Sequence, residues 1–139
     1  MKVYKLLVKA ERGNASAQYD LSICYGSGLG VTQDYQEAVR WLIKAAEQGH
    51  AQAQYSFGLC YGKGQGVTQD YQEAVRWFLK AAEQGYAEAQ YGLGLYYGKG
   101  LGVAQDHQEA VRWFTKAAKQ GHVQAQNILS IYANNFKTN

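Results

Sequence analysis

Few residues in this chain have both the type and the spacing that chemistry requires. Lys63 lies between Gly62 and Gly64 with Gly66 beyond, and Lys99 repeats the arrangement between Gly98 and Gly100 with Gly102 beyond. Loops of this kind cradle phosphates where a strand leads in, a helix aims its N-terminus at the anion, and Ser or Thr follows the lysine. Here glycine follows each lysine and helical sequence flanks both loops, so turn formation is the expected role. Arg40, Arg76 and Arg112 form one basic row and Lys44, Lys80 and Lys116 another, a pattern that in principle meets nucleic-acid phosphates. Glu37, Glu73 and Glu109, with Glu47 and Glu83, dilute both rows, so a solvated helix face is expected and nucleic-acid binding is not. His50 and His122 occupy the place of Tyr86, and His107 that of Tyr35 and Tyr71. An imidazole that alternates with a phenol reads as packing rather than as a general base. No Ser or Cys has a His and an acid recurring beside it, so the expectation is no enzyme and no cofactor. Cys24 and Cys60 have no third or fourth ligand nearby, so no metal is expected either. A disulfide needs Cα atoms within about 7 Å, whereas packed helices lie about 8–10 Å apart. Two free thiols are therefore expected, with a bridge between stacked helices as the alternative.

The remaining surface of interest is apolar. One side of the first helix of each unit carries Tyr19 and Ile23, then Tyr55 and Leu59, then Tyr91 and Leu95, and finally Asn127 and Ile131. Gln52 and Glu88 flank this stripe, as do Ser16, Asp20, Ser56 and Gly92. Rigid amphipathic rings suit recognition of a protein or peptide. Packing between successive first helices fits the same residues.

What positions them is a repeat. The segment VTQDYQEAVRW at 31–41 returns unchanged at 67–77 and as VAQDHQEAVRW at 103–113, a shift of 36 residues. Within the unit Ala53, Phe57 and Tyr61 fall four apart on one face of a helix, termed A, with Gly58 beside them. Tyr71, Ala74, Val75, Trp77, Phe78, Ala81 and Ala82 share a broad face of a second helix, B. Asp70 and Glu73 cap the start of B, and Gly85 supplies a left-handed stop. The spacing predicts A helices over 15–25, 51–61, 87–97 and 123–133, with Asn14 capping the first, and B helices over 3–12, 35–48, 71–84 and 107–120. One solenoid domain follows: a partial repeat 1–13, full repeats 14–49, 50–85 and 86–121, and a partial repeat with tail, 122–139. Lys5 stands where later units carry Trp41, Trp77 and Trp113, as suits a terminal helix with no earlier neighbour. Ser22, Gly58, Gly94 and Ser130 imply close helix approach, since glycine inside a helix costs about 1 kcal/mol relative to alanine. Val31, Val67 and Val103 are expected to plug the joints. The last A helix lacks a B partner, so its open side is covered by Phe136 or by something outside the chain, and 134–139 is expected to fray.

Composition sets the outer limits. A hydrophobic fraction of 47% supports a substantial core, and the absence of proline fits an almost wholly helical chain. The net charge of +3 is small and its signs are interleaved, which serves solubility. No apolar run is long enough for a transmembrane segment. The opening MKVYKLLVKAERG has only a brief apolar stretch, which argues against a secretory leader. A cytoplasmic location is expected, with a periplasmic or secreted one left open if a leader has been removed.

The unit resembles the Sel1-like repeat family, longer relatives of the tetratricopeptide repeat. The resemblance rests on AEAQYGLGLYYGKGLGVAQD at 87–106 and EAVRWFTKAA at 109–118. In the central unit the family's motif falls on Gly58, Tyr61, Gly64, Gly66, Val67, Asp70, Trp77, Ala81 and Ala82. It implies an all-α, right-handed α/α solenoid whose concave A-helix side binds proteins or peptides as a non-catalytic scaffold or adaptor. Secreted relatives staple one repeat with cysteines seven intervening residues apart, a pair this chain lacks. The alternative role is structural, with copies self-associating through the open terminal helices.

Overall fold

The computed structural model describes residues 2–137. Among them are eight helices and no strand: α1 (Lys2–Glu11), α2 (Ala15–Ser27), α3 (Tyr35–Glu47), α4 (Ala51–Lys63), α5 (Tyr71–Glu83), α6 (Ala87–Lys99), α7 (His107–Lys119) and α8 (Val123–Lys137). The even-numbered helices are the A helices and the odd-numbered ones the B helices. Each packs on its neighbours in sequence, α2 on α3, α3 on α4 and onward, so the chain is an all-α solenoid whose core is a succession of buried clusters.

Caps fix most of the boundaries. Asp34, Asp70 and Asp106 each accept a hydrogen bond from the backbone N–H three residues on, at 3.1, 3.2 and 3.0 Å. Gly49, Gly85 and Gly121 adopt φ of 92°, 92° and 90°, the left-handed stop after each B helix. The B helices end one residue earlier than the spacing predicts, because Gln48, Gln84 and Gln120 already serve as C-caps. The full A helices run two residues further than expected. Gly26, Gly62 and Gly98 stay helical, and the left-handed turn falls instead on Gly28, Gly64 and Gly100, whose N–H groups bond back to the carbonyls of Cys24, Cys60 and Tyr96. α8 likewise continues to Lys137 rather than fraying at 134. Thr138, Asn139 and the Phe136 side chain lie outside the described residues.

The core is a row of similar junctions. Trp41, Trp77 and Trp113 are only 2%, 7% and 4% exposed, so burial of these rings holds consecutive hairpins together. Trp77 fills the space between Ala45 and Ala46 of α3 and Ala53 and Phe57 of α4, and Trp113 repeats this against α5 and α6. Trp41 packs on Ala10, Ala17 and Leu21, while Lys5, its counterpart on α1, is exposed. Each such ring contributes roughly 3 kcal/mol. Within hairpins the small residues allow close approach: a Cβ on Gly58 would stand 2.6 Å from the Phe78 ring, and Gly94 lies equally hard against Phe114. In the first hairpin Ser22 faces the place of a smaller side chain, Leu42.

Candidate functional site

The stripe residues lie along α2, α4, α6 and α8 and form a stair of rings. Each stripe tyrosine meets the residue just before the next A helix: Tyr19 stacks on His50 at 4.8 Å, Tyr55 meets Tyr86 at 5.5 Å, and Tyr91 meets His122 at 4.7 Å. On the other side Tyr55 and Tyr91 rest against Phe78 and Phe114, both at 5.6 Å. All three tyrosines are half-buried, as are Leu59 and Leu95. Ile23 and Ile131 stay open, 45% and 58% exposed, and Gln52, Glu88 and Asn127 are exposed beside them. Rings and aliphatics thus serve the stack with one side and face solvent with the other. Asn127, standing where a fourth tyrosine would fall, ends the stair.

The electrostatics follow from that half-burial. Burial, reinforced by Glu88, pushes the Tyr55 phenol up to about 12, so it stays protonated at any ordinary pH. Burial also raises the Tyr86 phenol, with neighbouring Gln52 opposing. His122 Nδ1 accepts from the Ala125 N–H at 3.2 Å while its Nε2 lies 2.9 Å from a Glu88 carboxylate oxygen, which ties that site residue to the stair. His50 Nδ1 caps α4 in the same way, accepting from the Ala53 N–H at 3.1 Å, and burial lowers its pKa. These two histidines therefore cap helices and lie against tyrosine rings. Cys24 and Cys60 are both free, and among the described residues no cluster of three His, Cys, Asp or Glu side chains could hold a metal ion.

Three uses of side chains escaped the sequence. The basic rows cover tryptophan: Arg40 and Lys44 lie over the Trp41 ring at 4.7 and 4.9 Å, and Arg76 with Lys80 and Arg112 with Lys116 repeat this over Trp77 and Trp113. The same arginines pair with Glu37, Glu73 and Glu109. Buried Gln18, Gln54 and Gln90 each donate to a carbonyl of the preceding B helix, and each accepts from the glutamine 30 residues on, Gln48, Gln84 or Gln120, at 2.7–2.9 Å. Their signal was recurrence at the unit spacing on an otherwise apolar face. Third, Tyr96 and Tyr132 reach back over Phe78 and Phe114 of the preceding hairpin, at 5.2 and 5.8 Å. No helix among the described residues is long and apolar enough to cross a membrane.

The Sel1 repeat profile matches residues 15–50, 51–86 and 87–122. A Sel1 repeat protein from Oxalobacter formigenes is 43% identical, with a TM-score of 0.88, over 93% of this chain and 97% of its own. A protective antigen present in uropathogenic Escherichia coli strains, displaying an SLR fold, is 45% identical with a TM-score of 0.87, over 89% of this chain and 27% of its own. Cysteine-rich protein B of Helicobacter pylori is 25% identical with a TM-score of 0.72, over 91% of this chain and 94% of its own. Among curated proteins no match is found.

Proposed function

Because the chain belongs to the Sel1 repeat family, whose members generally act as protein-interaction scaffolds, we propose that it is a non-catalytic scaffold that docks a protein or peptide on its A-helix side. The observation that carries this is the stair of half-buried rings, flanked by the exposed side chains of Ile23, Gln52, Glu88 and Ile131. Rings already locked by stacking lose little rotamer freedom on binding, and the stack beneath them keeps the surface rigid. An extended peptide would lay apolar side chains on the Tyr19, Tyr55 and Tyr91 edges and offer polar groups to Gln52 and Glu88.

Selection of peptides by display on the immobilised chain, followed by calorimetry, tests this. Ile23→Glu combined with Gln52→Glu is expected to weaken the selected peptide about tenfold or more with helicity unchanged. Unchanged affinity would remove the groove.

A second role is self-association through the terminal helices. It is favoured by exposed Val123 and Ile131 on α8 and by a hollow between Val111, Leu129, Tyr132 and Ala133 at that end. Light scattering across a concentration range checks it: growth in mass abolished by Ile131→Glu supports assembly, and a constant monomer mass removes it.

A further inference from the structure

The three A/B hairpins share one helical plan and differ in what closes the notch between their helices. In the second, Tyr96 of α6 leans back into the notch between α4 and α5, its hydroxyl against Gly62 and its ring edge-on to Phe78 and Tyr71 at 5.2 and 5.8 Å. In the third, Tyr132 of α8 does the same: a Cβ on Gly98 would stand 2.8 Å from its hydroxyl, and its ring lies against Phe114 and His107. The residue at this place over the first hairpin is Cys60, 36 positions before Tyr96. A thiol is far shorter than a phenol, and beneath it Leu42 stands where Phe78 and Phe114 stand later.

The result is space. Gly26, the counterpart of Gly62 and Gly98, meets no hydroxyl; the nearest atom to a Cβ built there is that of Ala38, at 3.8 Å. Tyr35, deprived of the ring that Tyr71 touches, is 60% exposed against 37% for Tyr71. Between α2, α3 and α4 lies a hollow of about 170 Å³ whose lining is mostly apolar, including Gly26, Tyr35, Leu42 and Cys60, with Ser22, Ser56 and Gln65 as its polar side chains. An enclosed apolar cavity of about 150 Å³ takes up benzene, so this half-open hollow of similar volume has room for a six-membered ring. Burial raises the Cys60 thiol's pKa, so that wall is uncharged at neutral pH.

We infer that this first notch is a binding pocket for a tyrosine side chain of a partner peptide, which enters where Tyr96 and Tyr132 enter the later notches. The inference rests on the docking role above and adds its anchor. The occupant's shape comes from the chain itself, since two of three notches are filled by a phenol whose oxygen abuts the helical glycine. Its peptidyl source follows from position: Tyr19 and Ile23 of the stripe also line the hollow, so a chain lying along the stair passes its mouth. A buried ring is worth about tenfold or more in affinity.

The test uses p-cresol, the tyrosine side chain as a free molecule, and the blocked peptide Ala-Ala-Tyr-Ala-Ala, each titrated into the full chain and followed by amide chemical shifts. Both are expected to move Gly26, Ala38 and Ser56. Cys60→Tyr, which copies the later junctions, should abolish those shifts, and Tyr96→Cys should add p-cresol shifts at Gly62 while those at Gly26 persist. If Cys60→Tyr fails to fold, the Tyr96→Cys result alone decides. Absence of p-cresol shifts at Gly26 overturns the pocket, and leaves the groove intact if display-selected peptides still bind. Binding of p-cresol but not of the peptide overturns the peptidyl source. Unaltered shifts in Cys60→Tyr, or none gained in Tyr96→Cys, overturn the assignment to this notch.

Discussion

Among the residues that differ between the first and second junctions, three bear most on the hollow. Ser22, Leu42 and Cys60 in the first become Gly58, Phe78 and Tyr96 in the second, on the same backbone. In the second, glycine makes way for phenylalanine and tyrosine closes over it. In the first, each large group is replaced by a smaller one and the backbone does not collapse to compensate. Caps, glutamine bonds and tryptophan packing hold the helix spacing, so lost side-chain volume remains as a cavity. A regular solenoid can therefore acquire a pocket through side-chain exchange alone.

The contrast between the two junctions predicts unequal costs for matched substitutions. Phe78→Ala should cost about 3–5 kcal/mol in urea denaturation, whereas Leu42→Ala, which enlarges an existing hollow and removes fewer contacts, should cost about 2. Equal losses would mean the two junctions are packed alike. Tyr96→Cys should cost about 2 kcal/mol by the same measurement, while Cys60→Tyr should raise the thermal midpoint by filling space already present. A lower midpoint in a folded Cys60→Tyr would show that the first notch cannot accept a ring. Gly58→Ala should destabilise by about 1–3 kcal/mol against the Phe78 ring, overriding alanine's helix advantage of about 1. Ser22→Ala, which loses only a back-bond from the hydroxyl to the Tyr19 carbonyl of its own helix at 2.6 Å, should cost about 1 or less.

The smallest contrast lies in how the A helices are capped. Asn14 caps α2 through its side-chain oxygen at 2.8 Å and His50 caps α4 through Nδ1, while Tyr86 makes no side-chain cap to α6. Burial holds the folded His50 pKa below its ordinary value of about 6.5, with Asp20 opposing. The unfolded chain then binds the proton more readily. The stabilisation is present above about pH 6.5 and is lost as pH falls through the folded value. His50→Asn keeps a capping oxygen without the titration, so its thermal midpoint should fall less than the wild type's between about pH 7 and about pH 5. Parallel curves would show that His50 does not titrate differently on folding.

Most of the architecture was legible because periodicity, cap and repeat each marked it independently. Asp70 with Glu73, Gly85, and the alanines beside Trp77 set α5 to within a residue. The A-helix ends were misplaced because two glycines compete there, and only the fold shows that Gly62 must remain helical under Tyr96 while Gly64 turns. The stripe was legible as a row but not as a stair, since a helical wheel carries no information on the residue preceding the next A helix. The hollow was present in the sequence as Cys60 against Tyr96 and Tyr132. It could not be read without knowing that this position reaches back across a junction.

Xenon is the most direct probe of the difference between junctions, because it enters apolar space regardless of any partner. A crystal held under xenon pressure is expected to show the gas beneath Cys60, beside Gly26 and Leu42, and none beneath Tyr96. An empty first junction, or equal occupancy at both, would contradict the claim that side-chain exchange opened a pocket.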